Sequence, residues 1–180
     1  MDNNNNRIIL LYGEINEGNI KVTMESLLTL INTDNERELK EIDFERKPIH
    51  LHINSYGGNI DDMWSLISLI KTSPTPIHTH CTGYAYSAAF LVFLSGTERT
   101  VYPYSKFMYH SISSYTYGSV SHIKDYADLL NAENKKCIDY IVKHTKISPL
   151  KLSDITQKQK DWFISSDEAI DLGVANNCIC

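Results

Sequence analysis

Ser87 stands alone among small and apolar residues, in the stretch GYAYSAAF that opens at Gly83. A lone hydroxyl there can be a spectator, the cap of the apolar helix that follows, or a nucleophile. Gly83, Ala85, Ala88 and Ala89 would let a substrate backbone approach closely. A strand-to-helix turn also sets the hydroxyl beside free helix N–H groups, which stabilise negative charge. That is the working principle of a nucleophile elbow, although the G-x-S-x-G spelling is absent. Taken alone, the stretch reads first as a helix cap.

A serine needs a base, because its free hydroxyl is a poor nucleophile at neutral pH. The chain has seven histidines. His110 closes the run KFMYH and precedes the polar stretch SISSYTYG, where a strand-end imidazole can reach a neighbouring strand end. His122 and His144 fall on a helical pattern and read as surface residues. His50/His52 and His78/His80 are two H-x-H pairs, each on one face of an expected strand, so four imidazoles could meet at a metal. No carboxylate or cysteine with ligand spacing joins them, and solvated or interface histidines are the preferred reading. No metal site and no cofactor are assigned.

The imidazole must be held by a third group. Asp161, just before WFIS, is the best placed. Asp125, Asp128 and Asp139 look like helix-surface charges, and Asp167 and Asp171 belong to a terminal helix; spacing alone leaves the choice open. The stretch NSYGGN supplies a further piece. Gly57 and Gly58 leave unhindered N–H groups at a strand–helix junction, and such a turn can donate to an oxyanion, each donor being worth about 2.7–4 kcal/mol. The plain alternative is a glycine turn feeding a helix.

Two strand–turn–helix units position these groups. PIHLHINS is a strand with Ile49, Leu51 and Ile53 on one face and His50, His52 and Asn54 on the other. The glycine pair breaks it, and Ile60, Met63, Trp64, Ile67 and Ile70 form a helical stripe that SPTP stops. PIHTHCTG repeats the pattern, leading into the Ser87 stretch. The alternation predicts a mainly parallel sheet with crossover helices. RIILLYGEI reads as a buried strand, residues 22–32 as a helix, and residues 33–47 as a charged loop. TVYPYSKFMYH reads as further strand. Residues 119–146 carry a long helix whose apolar side includes Val120, Ile123, Ala127, Leu130, Cys137, Ile138, Ile141 and Val142; part of it is expected to project and pair with another subunit. WFIS is a last short strand, and Ser165 and Glu168 have capping-box spacing for a helix ending at Gly173.

With 180 residues and 42% hydrophobic content, the chain suits one domain spanning 1–180 with a real core. A net charge of −5 with mixed signs argues against nucleic acid as the main partner. The apolar runs are too short to span a bilayer. The polar start MDNNNNR lacks the pattern of a signal peptide. A soluble cytoplasmic protein is expected. The four cysteines show no disulfide framework. The Cys178-Ile-Cys180 pair sits on what reads as a frayed tail.

Together these residues resemble the Clp protease proteolytic subunit, a serine peptidase family. RIILLYG matches its opening strand, and INSYGGNI its I-N-S-P-G-G-x-V/I turn, with Tyr56 in place of the proline. GYAYSAAF is similar to the G-x-A-A-S-x-G/A nucleophile segment. SKFMYHSIS matches the S-x-x-M-I-H segment of the base, and KDWFISSDEAIDLGVAN the R-D-x-F-x-S-x-E-A-x-x-Y-G-L-I-D segment of the acid. The likeness is collinear from about residue 7 to about 177.

The resemblance implies Ser87 as nucleophile, His110 as general base and Asp161 as its orienter, with the backbone N–H groups of Gly58 and Ala88 as the oxyanion hole. It implies an α/β fold of the crotonase-like ββα superhelix type with the long helix as a projecting handle. The substrate, a peptide or unfolded protein, is expected to lie extended along Gly57, Asn59 and Ile60 on one side and Tyr115 to Gly118 on the other. Heptameric rings, stacked as a tetradecamer, would enclose the sites. An AAA+ unfoldase is the family's partner, but only six residues precede RIILLYG where the family has an axial loop, and His50 and His52 replace aromatics of the docking pocket. These departures point to ungated or adaptor-free peptidase activity, and a catalytically silent or partner-dependent ring subunit is the alternative. A crotonase-type acyl-CoA enzyme would not need the Ser–His–Asp set, and a Ser–Lys peptidase using Lys106 would not need His110.

Overall fold

The computed structural model describes residues 7–179; the asparagine run and the short segment ahead of RIILLYG lie outside them, as does Cys180. The elements run β1 (Ile8–Ile15), α1 (Glu17–Glu38), β2 (Ile49–Gly58), α2 (Ile60–Thr72), β3 (Ile77–Tyr86), α3 (Ala88–Leu94), β4 (Arg99–Val101), β5 (Lys106–Tyr109), α4 (Val120–His144), α5 (Pro149–Lys158), β6 (Trp162–Ser165), α6 (Ser166–Asp171) and β7 (Asn177–Cys178). One sheet holds all seven strands, in the order β1-β2-β3-β4-β7, with β5 paired to β3 and to β6. Every pairing is parallel except β5 with β6. The mainly parallel sheet with crossover helices is as the alternating sequence pattern predicts.

β3 is the trunk of this sheet. Its first half pairs with β4 (Thr79 to Cys81 against Arg99 to Val101), and its second half pairs with β5 (Tyr84 to Tyr86 against Lys106 to Met108). The sheet thus forks beyond Cys81, and one branch runs straight to Ser87. α3 packs against β2, β3 and β5, and every residue of it is buried. Phe90 and Phe93 pack against Phe107, with ring centroids 5.8 and 4.8 Å apart. A helix apolar all round fits only a fully enclosed position.

Several boundaries differ from the sequence reading. β1 is an edge strand, so only alternate residues are buried, and Ile8, Leu10 and Tyr12 are about half exposed. α1 runs past both expected ends. Asn16 caps its start by accepting from the Asn19 N–H, and Ile20, Thr23, Leu27, Ile31 and Asp34 form its buried stripe. The charged segment after residue 32 continues the helix because Arg7 pairs with buried Asp34 at 2.7 Å. The Thr75 hydroxyl donates to the same carboxylate.

The run expected as one strand at 100–110 is two, split by the turn Tyr102 to Ser105. α5 was not anticipated, although Ser148 caps it and Pro149 occupies its first turn, a legible helix start. Cys178, read as part of a frayed tail, lies instead in β7, paired with β4.

α4 is the long helix expected over 119–146. Of its expected apolar side only Cys137 and Ile141 are buried. Val120 and Ile123 are exposed, so the N-terminal half projects from the body. Its base is fixed by Trp64 of α2, whose indole N–H donates to Glu133 at 2.9 Å while the Lys136 ammonium lies over the ring.

Candidate active site

Three strand ends deliver the three candidate side chains. β3 and β5 run parallel with Tyr86 beside Met108, and one step on come Ser87 and Tyr109. The Ser87 N–H donates to the Met108 carbonyl at 2.8 Å, which ties the turn to β5. β5 and β6 run antiparallel with Tyr109 opposite Trp162. The next step of that register sets His110 opposite Asp161. Sheet pairing alone therefore gathers residues 87, 110 and 161 at one edge.

Ser87 has φ 54 and ψ −123, a conformation that costs a non-glycine residue on the order of 1–3 kcal/mol. It stands at the N-cap position of α3, yet its side chain makes no capping hydrogen bond. Its hydroxyl meets His110 Nε2 instead, at 2.8 Å. The helix-cap reading is thereby excluded. The other ring nitrogen, Nδ1, is 3.8 Å from Asp161 Oδ1, and the aspartate side chain is 56% exposed.

The segment after the imidazole is pinned by α4: the Ile112 N–H donates to the Asn134 side chain at 2.8 Å. The segment before it is pinned to α5, where the Tyr109 hydroxyl meets that of Thr156 at 3.1 Å.

Gly57 and Gly58 adopt φ 96 and 150. A Cβ on Gly57 would come within 2.7 Å of the Tyr86 carbonyl and 2.9 Å of the Ser87 Cβ, and one on Gly58 would collide with the Ile15 carbonyl. Only glycine lets this turn press against the serine.

A cleft of about 270 Å³ opens over the serine, lined by Gly58, Ser87, Ala88 and His110 on its polar side. Its apolar side includes Ile60, Met63, Leu91, Ile112 and Cys137. Burial pushes the Cys137 thiol up to about 12, so it is a neutral lining group at physiological pH. Asn59 lies in an adjoining cleft and caps α2 by accepting from the Asp61 and Asp62 N–H groups. Tyr115 is largely exposed, and Gly118 packs near His122 at the start of α4; neither lines the cleft over Ser87. The sequence reading did not foresee Asn134 or most of the apolar lining, because these residues come from α2, α3, α4 and the segment after His110 and meet over the serine only through packing.

The two H-x-H pairs meet one another. His50 Nδ1 is 2.9 Å from His80 Nε2, and His52 stacks on His80 with centroids 4.6 Å apart. Among the described residues no group of three His, Cys, Asp or Glu is placed to hold a metal ion. No helix among them is long and apolar enough to cross a membrane.

A strained serine at a strand–helix turn, hydrogen-bonded to a strand-end imidazole, is an arrangement of serine hydrolases. Comparison with known proteins narrows the class. The Clp protease family profile matches residues 3–180. The chain is 29% identical over 175 residues to the ATP-dependent Clp protease proteolytic subunit 1 of Shouchella clausii, covering 96% of this chain and 84% of that one. It is 27% identical over 176 residues to subunit 1 of Rhodopirellula baltica, covering 97% and 72%. A mutant ClpP1 from Listeria monocytogenes superimposes with a TM-score of 0.81 over 97% of this chain and 91% of that one, at 24% identity, and shares the fold. The chain belongs to the Clp protease family and is a serine peptidase of that type.

Proposed function

We propose that the protein is an endopeptidase in which Ser87 attacks a peptide carbonyl while His110 takes its proton. His110 then protonates the leaving amine, and water releases the acyl-enzyme by the same route reversed. Asp161 orients the imidazole and balances its charge. The Gly58 and Ala88 N–H groups receive the oxyanion. The observation that carries this reading is the 2.8 Å contact between Ser87 Oγ and His110 Nε2 on a serine with no capping role.

The substrate is an unfolded segment or peptide that adds as a strand beside the chain after Gly58, with Ile60 on its near side and residues 115–118 across from it. The single domain, residues 1–180, assembles into heptameric rings, and projecting α4 helices pair between two rings. The relatives are named ATP-dependent, which supports cooperation with a Clp-type ATPase. Labelling by a fluorophosphonate tests the reading. The wild type is expected to label and Ser87→Ala to stay unlabelled and lose peptide hydrolysis; an unlabelled wild type would sink it.

A second reading has one observation in its favour. The 3.8 Å gap between His110 and Asp161 is too long for a hydrogen bond, which suits a subunit whose triad closes only against a partner. Mixing with a second Clp subunit and measuring both assembly and turnover separates the two.

A further inference from the structure

β2 turns a regular pattern into an exception where it nears the serine. Its inward-facing residues are Ile49, Leu51, Ile53, Ser55 and Gly57, all buried. Three aliphatic side chains are followed by a hydroxyl, in a position that is 0% exposed and where another aliphatic would add core contacts. A buried hydroxyl costs free energy unless it is hydrogen-bonded. Ser55 Oγ accepts from the Gly57 N–H at 3.1 Å, closing a two-residue turn.

That turn is where β2 leaves its register. Ile53 pairs with Cys81, but Ser55 pairs with Ala85, so the neighbouring strand gains residues between the two pairs. β1 slips against β2 in the same place, between Tyr12 and Glu14. Pairing with β1 resumes with Glu14 beside Gly57 and Ile15 beside Gly58, but pairing with β3 ends at Ala85 beside Ser55. The Ser55 hydroxyl supplies a constraint within β2 itself, where β3 no longer pairs. It fixes the Gly57 peptide, Gly57 abuts the Tyr86 carbonyl and the Ser87 Cβ, and Gly58 follows on the cleft wall.

We infer that Ser55 is a positioning residue: through Gly57 it sets the Gly58 N–H relative to Ser87 Oγ. The inference rests on the reading of Ser87 as nucleophile and Gly58 as oxyanion donor. A donor aimed at the developing oxyanion acts on the transition state and hardly on ground-state binding. The effect is therefore on kcat.

The test measures kcat and KM on a short peptide for the full chain with Ser55→Ala, Ser55→Thr and Ser87→Ala. Ser55→Ala is expected to lower kcat about 10-fold, part of the 10²–10³-fold that loss of a whole donor costs, with KM within about twofold. Ser55→Thr, which keeps the hydroxyl, is expected to recover most of that loss. Wild-type kcat in Ser55→Ala, or equal impairment in Ser55→Thr, overturns the inference. Should Ser55→Ala fail to fold, Ser55→Cys, of similar size with a weaker acceptor, replaces it under the same criteria. Turnover retained by Ser87→Ala overturns the underlying reading and this inference with it, whereas an inactive Ser87→Ala beside a fully active Ser55→Ala overturns only the role of Ser55.

Discussion

His110 is gripped on one side only: its Nε2 lies 2.8 Å from Ser87 Oγ, while its Nδ1 lies 3.8 Å from Asp161 Oδ1. The aspartate is more exposed than the imidazole, so water screens the pair. In a tightly closed triad, loss of the acid's charge costs roughly 10⁴-fold in kcat. Here Asp161→Asn is expected to cost about 10²-fold in kcat/KM, because Asn134 and Thr156 hold the segments on either side of the imidazole independently of the acid. Steady-state assays on a peptide check this, and a loss approaching that of Ser87→Ala would mean that the gap closes fully in the working enzyme.

Gly57 and Gly18 are expected to respond in opposite directions to alanine. At Gly57 the new methyl would meet a backbone carbonyl at 2.7 Å and a backbone nitrogen at 3.0 Å, with φ at 96, so nothing flexible can yield. Gly57→Ala should abolish fluorophosphonate labelling and cost about 1–3 kcal/mol of stability. Gly18 lies in the first turn of α1 with only an ordinary 3.6 Å contact. Gly18→Ala should leave labelling intact and add about 0.4–1 kcal/mol. Thermal melts and labelling of both variants decide.

Much of this site is written locally in the chain. The strands that end at His110 and Ser87 are short alternating or apolar runs, and the glycine pair marks its own turn, so periodicity finds them. Asp161 is different. Among six candidate aspartates, spacing leaves it open, because its place depends on β6 lying antiparallel to β5, a pairing that no local pattern encodes. The apolar cleft wall is hidden for a similar reason, being assembled from α2, α3, α4 and the segment after His110. α1 outran its expected end because Asp34 faces inward to Arg7, and a carboxylate in a helical stripe reads as a boundary until its buried partner is known. Ser55 was visible all along as a hydroxyl in an aliphatic stripe, but its role depends on a register shift seen only in three dimensions.

The pH–rate profile should fall on the acid side. Imidazolium cannot accept the Ser87 proton, so the rate must decline once the base is protonated. Initial rates of peptide hydrolysis at pH values where the thermal melt is unchanged should decline with acid. A flat profile over that range would remove His110 from the role of base.

Stability should weaken with acid over a window set by the other histidines. Burial lowers the pKa of His50 and His52 and, with their neighbours' charges, takes His80 down to about 4. The folded state therefore resists protons that the unfolded chain accepts from about pH 6.5 downward. The contribution is complete above that pH and is lost as the pH falls toward 4. Asp34 acts in a lower range: burial raises its carboxyl, hydrogen bonds from Arg7 and Thr75 more than offset that, and its contribution is lost only below about pH 4. Between pH 7 and pH 5 these stacked histidines weaken the fold, together with His144, whose pKa burial also lowers. His80 alone should cost on the order of 1 kcal/mol there, after discounting for its partial exposure. Denaturant melts of Ser87→Ala at the two pH values, with and without His80→Gln, measure it without interference from self-cleavage. The glutamine variant should lose clearly less stability on acidification. An equal loss in both would show that His80 titrates as in the unfolded chain.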